Sequence, residues 1–190
     1  MTDPTKDFFD LIVEPAIDEY LDAECALTAA EGAGDPAGLE AARALALRRA
    51  RTAAIELHQF ADRVMINGPA WAPPGTIKQL RDWLRTNQGR QINGQPVEDF
   101  HLLLDVANAF KHAQLTHTRD RAWLVQDDKV VVSSATGFGE LGWGEGKWGG
   151  AQAIIIEKTD GKKRAMSLML STVRDAWRSA MSTGAGGAGA

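Results

Sequence analysis

The stretch from Pro96 to Thr116, PVEDFHLLLDVANAFKHAQLT, decides the reading of the whole chain. His101, Asp105, Asn108 and His112 fall at i, i+4, i+7 and i+11, so a helix through them carries four polar side chains in one line. The remaining positions, among them Leu102, Leu103, Val106, Ala109 and Phe110, are apolar. A helix this hydrophobic is buried, and a polar group buried unpaired costs roughly 2–7 kcal/mol. The polar line therefore needs partners from the segments around it.

Upstream, Asp3-Pro4 has the form of an N-cap followed by proline at the first helical position. Phe9, Ile12, Val13, Ile17, Tyr20 and Leu21 then recur at helical spacing, predicting a first helix to about Ala30 with these side chains inward. Pro15 lacks a backbone N–H, which predicts a kink or break near Val13 and Glu14. EGAGDPAG is a turn, and Asp35-Pro36 caps a second helix running to about Ile66. Its core stripe is Ala50, Ala54, Leu57, Ala61, Val64 and Met65. Arg51, His58 and Asp62, at i, i+7 and i+11, form a second polar line that helix packing would bring against the first. After the proline-rich NGPAWAPPGT, a short helix is expected from Thr76 to about Thr86, and NQGRQINGQP reads as a turn-rich loop.

Downstream of Thr118 the residues become β-branched and aromatic. AWLVQDDKVVVSS has strand character, and QAIIIEKTDGKKRAMSL reads as two strands joined by a turn at Asp160-Gly161. A final amphipathic helix is expected from about Ser167 to Met181. The predicted fold is mainly α: a four- or five-helix bundle over residues 1–118, then a small antiparallel β appendage with a C-terminal closing helix over 119–182, and a disordered tail over 183–190.

The net charge of −4 over 190 residues is unevenly spread. Residues 1–40 hold one basic and eleven acidic side chains, a net −10, whereas residues 41–121 hold twelve and seven, a net +5. The basic middle permits contact with a phosphate backbone, and the acidic start is equally suited to neutralise it within the fold. The one cysteine, Cys25, excludes an internal disulfide and reads as a packed thiol in an Ala-rich helix. MTDPTKDFFD carries no charged-then-apolar leader and no apolar run reaches membrane-spanning length, so a cytoplasmic protein without membrane contact is expected.

The segment ANAFKH, Ala107 to His112, resembles the helix motif of the HEPN superfamily. That motif is an Arg, then a polar Asn, His or Asp, then three residues, then His. Asn108 and His112 stand in the expected places, and Ala107 occupies the Arg position. The resemblance implies a small helical domain, a composite site across a homodimer, and membership, active or degenerate, among bacterial metal-independent ribonucleases and toxins. Cleavage through a ribose 2′-hydroxyl needs a base near neutral pKa and a cation for the developing charge. His112 or His58 could be the base, Arg51 or Lys111 the cation, and Asn108 could orient the phosphate. No metal or cofactor is expected.

Two bland alternatives stand beside that reading. Asp105, Asn108, His112 and His101 could tie the helix to the loop that follows it, satisfying buried backbone groups. The glycine-rich GFGELGWGEGKWGG, with Phe138, Trp143 and Trp148, could stack on bases or serve as the contact surface of a non-enzymatic protein-interaction module. RNA and a protein are thus the two partner classes the sequence proposes.

Overall fold

The computed structural model describes residues 3–89, 91–92, 95–112, 115, 123–128, 131–135 and 152–184. The N-terminal helical segment consists of α1 (Pro4–Phe8), a π-turn (Phe9–Val13) and α2 (Glu14–Ala33). The Asp3 side chain caps it, accepting from the Thr5 N–H at 2.8 Å with Pro4 in the first turn. Where the sequence predicts a kink or break, the chain instead widens by one residue. The Glu14 N–H reaches back five positions to the Phe9 carbonyl, and Pro15, which has no N–H to donate, follows without ending the helix. This widening also corrects the expected inward face. Phe9, Val13, Ile17 and Tyr20 are completely buried, but Ile12 is turned out of the core and Leu21 is only half-buried.

Gly34, at φ +69°, ends α2 in the left-handed conformation open to glycine, and Asp35 then caps α3 (Pro36–Asn67) by accepting from the Ala37 and Gly38 N–H groups. Ala50, Ala54, Leu57, Ala61 and Val64 of α3 are buried as expected, and Met65 is half-buried. Next come α4 (Ile77–Asn87), closed at its start by a Thr76–Gln79 capping box, and α5 (Asp99–His112). Between them β1 (Gln91–Ile92) and β2 (Gln95–Pro96) pair antiparallel within what the sequence presents as a loop.

The C-terminal part forms a three-stranded antiparallel sheet of β3 (Val131–Ala135), β4 (Gln152–Glu157) and β5 (Lys163–Ala165), with β4 central. The predicted hairpin turn is present, with Gly161 at φ +80° and the Lys162 N–H bonded to the Asp160 carboxylate. Helix α6 (Met166–Gly184) then closes the core. The fold is therefore mainly helical, with a small antiparallel sheet and a C-terminal helix. A single cluster of buried side chains runs from Phe9 to Ala180, so sheet and closing helix share the core of the bundle. Alternate residues of β4 divide between two faces: Ile154 and Ile156 enter that core, while Ala153 and Ile155 pack with Ala165 and Leu168.

Charge asymmetry along the chain resolves into contacts between helices. Glu19 pairs with Arg49 of α3 at 2.6 Å, and Asp18 and Glu14 pair with Arg174 and Arg178 of α6. Cys25 departs from expectation. It is exposed, because α2 buries Ala23, Glu24 and Leu27 and leaves position 25 on its outer face.

Glu24 is only 3 % exposed and accepts a hydrogen bond from the Tyr20 hydroxyl at 2.6 Å. Burial, and then the neighbouring Glu24 carboxylate, push the Tyr20 phenol well above its ordinary pKa of 10.0. Above pH 10 the unfolded chain releases this proton while the folded chain retains it. The stabilisation is therefore full below pH 10 and falls as pH rises beyond it. Tyr20 is the only tyrosine, so tyrosinate absorbance reads it alone. That absorbance is expected to appear only together with loss of helical circular dichroism; its appearance in a still-helical protein would contradict this account.

Candidate functional site

Two polar lines were expected to meet between α3 and α5, and the structure distributes them among several partners. From α3, the Arg51 guanidinium donates to the Phe110 carbonyl and lies 5.8 Å from the Phe110 ring centroid. Phe110 is in the last turn of α5, where carbonyls lack helical partners, so Arg51 caps the C-terminus of α5. His58 is buried, and its Nδ1 lies 3.1 Å from Nη2 of Arg81 on α4. A guanidinium only donates, so Nδ1 is the acceptor and the imidazole proton sits on Nε2. Arg81 also donates to the His58 carbonyl at 3.4 Å.

On α5 the line divides. Asp105 is completely buried and accepts from the Leu124 N–H at 2.8 Å. The Leu124 carbonyl in turn accepts from the Thr159 N–H, so Asp105 fastens the helix to the segment after it and thence to the β4–β5 turn. His101, half-buried, has its Nε2 3.9 Å from the Asp82 carboxylate. Glu98, three residues before His101, turns to Lys158 at 3.2 Å, so this Glu-x-x-His spacing does not gather metal ligands. Among the described residues no three His, Cys, Asp or Glu side chains converge as a metal site.

The end of α5 presents its last two residues outward, while Ala109 and Phe110 of the same turn are buried. Asn108 is half-buried, and Lys111 and His112 are exposed. Lys111 feels Asp62 and Glu56 of α3 and Arg81 of α4; partial desolvation, reinforced by Arg81 and opposed by the two carboxylates, holds its ammonium below the usual lysine range. Thus Arg81 bonds His58 of the sequence-predicted set and is felt by the Lys111 ammonium, and Arg51 holds the carbonyl of the residue before Lys111. Ala107, where the HEPN motif has its Arg, is completely buried, so a side chain from that position enters the core. Phe138, Trp143 and Trp148 lie outside the described residues.

Arg81 is the residue that sequence reasoning missed. Its signal was present in Lys78, Arg81 and Arg85, which fall at i, i+3 and i+7 and so share one face of α4. A groove of about 310 Å³ lies apart from this cluster, between Gln88 and Gly89 after α4 and Ser171, Thr172 and Asp175 of α6, and contains none of the predicted residues.

Comparisons with protein-family models, curated proteins and solved structures find no match for this chain. Among the described residues, no helix is long and apolar enough to cross a membrane.

Proposed function

We propose that this chain is a degenerate HEPN-like protein that binds RNA through its phosphates at the junction of α3, α4 and α5, and does not cleave it. The observation that carries the reading is the exposed Lys111–His112 end of α5, with Arg81 of α4, bonded to His58, close enough to be felt by the Lys111 ammonium. Arg presents a planar donor fork to a phosphate and Lys a point charge, the two commonest ways proteins hold a nucleic-acid backbone. Asn108, one turn before His112, adds a neutral donor and acceptor on the same face of α5. Asp62 and Glu56 temper the patch, so binding falls in the weak, sequence-independent range, with a Kd of roughly 10⁻⁴–10⁻⁶ M. Cleavage lacks support because Arg51 is held on the Phe110 carbonyl and position 107 points into the core.

The test is fluorescence anisotropy of a labelled single-stranded RNA oligonucleotide in EDTA, with the same samples run on a gel. Wild-type protein is expected to bind with an affinity that falls steeply as salt rises and to leave the RNA intact. Lys111→Glu should weaken binding about tenfold and reduce the salt slope by about 0.7. Because the Lys111 ammonium is held below its ordinary range, affinity should also begin to fall at a lower pH than for an ordinary lysine. EDTA-resistant cleavage that disappears in both Asn108→Ala and His112→Ala would make the site a ribonuclease instead. Wild-type affinity in Lys111→Glu, or no binding at low salt, would remove the reading altogether.

A further inference from the structure

Among the described residues, three large aliphatic side chains stand out in solvent: Leu11 at 72 %, Ile12 at 43 % and Ile66 at 75 % exposure. Leu11 and Ile12 are adjacent, and both belong to the π-turn. In an unbroken α-helix, Ile12 would share a face with Phe9 and Ala16, three residues before and four after it, both of which are buried. The π-turn before Pro15 rotates it outward beside Leu11. Single-turn π segments of this kind are frequent at functional sites.

We infer that the outer face of this π-turn is a docking surface for a basic amphipathic helix of a partner protein, with Leu11 and Ile12 as its apolar anchor and the acidic side chains around them as its rim. Charge identifies the partner. Residues 3–22 hold seven acids against Lys6 alone, a net −6 within the segment, which Arg49, Arg63, Arg174 and Arg178 packed against it reduce to −2. Asp7 lies one turn before Leu11, and Asp10 beside it is answered by Lys6. Glu14, Asp18 and Glu19 are engaged by arginines of α6 and α3 at the margins, and Asp18 and Glu19 remain half or more exposed. Such a rim repels RNA and anionic lipid and attracts lysine and arginine. An aliphatic pair bordered by acids matches a helix with leucine-type residues on one face and cations flanking them, laid helix against helix. This surface is separate from the α3–α4–α5 junction and does not depend on RNA binding there.

The probe is a labelled amphipathic peptide of leucine and lysine, with a leucine and glutamate peptide of the same pattern as its counterpart. Wild-type protein is expected to bind the first and not the second in fluorescence anisotropy. The double variant Leu11→Gln with Ile12→Gln should weaken binding about tenfold or more, with thermal stability and RNA affinity unchanged. Asp7→Asn with Asp10→Asn should weaken it in the same direction, and Ile66→Gln should have no effect. Equal binding to wild type and to Leu11→Gln/Ile12→Gln, or no binding to wild type, would overturn the inference. So would sedimentation showing a wild-type dimer that Leu11→Gln/Ile12→Gln converts to monomer, because the occupant would then be a second copy of this chain.

Discussion

Arg164→Met is expected to lower the melting temperature by about 6–20 °C, read by circular dichroism. The Arg164 fork on β5 grips both oxygens of Asp99, the first residue of α5, with Nε 2.9 Å from Oδ1. Both residues are buried, Asp99 at 3 % exposure and Arg164 at 9 %. Removing one partner leaves the other charge uncompensated in the interior, at a cost of about 3–5 kcal/mol. For a chain of this size each kcal/mol corresponds to about 2–4 °C. Replacing both, Asp99→Leu with Arg164→Met, removes the stranded charge and should recover most of the loss. If single and double variants melt together with wild type, the pair does not hold the sheet to α5.

Trp177→Ala should destabilise by a similar amount, about 3–5 kcal/mol, through the cavity a buried indole leaves behind. Trp177 of α6 is 2 % exposed and meets Phe60 of α3 edge-on, with centroids 4.8 Å apart; Phe60 in turn packs on Phe9 of the π-turn at 4.9 Å and stacks with Phe8. Trp71 approaches Trp177 from the other side at 6.3 Å. The cluster therefore joins the N-terminal segment, the longest helix and the closing helix, so its loss is felt across the whole core. Trp177→Phe keeps a ring against Phe60 and should cost clearly less than Trp177→Ala. Equal unfolding midpoints in denaturant for the two variants would count against the edge-on contact.

Asp105 illustrates how far the site could be read beforehand. Its place in a polar line on an apolar helix marked it as a group needing a partner, and the partner is a backbone N–H of the following segment. Which member of the line would be tied down, and which left outward, depended on what packs beside each turn of α5. His101 meets α4, Asp105 meets the 123–126 segment, and His112, with Lys111 beside it in sequence, is exposed. Arg51 shows the converse case. A cation two turns from a histidine resembled half of a catalytic pair, and it serves as a cap for a helix 59 positions away.

What the sequence determined by itself is local. Asp3-Pro4 and Asp35-Pro36 start their helices, Gly34 stops one, and Asp160-Gly161 turns the hairpin, because each acts on backbone groups within a few residues. Periodicity likewise located the helices and most of their buried faces. Tertiary structure alone decided the rest: the outward rotation of Ile12, the meeting of Arg81 with His58, the burial of Glu24 beneath Tyr20 and β4, and the use of Glu14, Asp18 and Glu19 to hold α6 and α3. In each of these the outcome depends on which distant segment covers a given helical face. Side-chain spacing sets the direction in which a group points, and only packing sets what it meets.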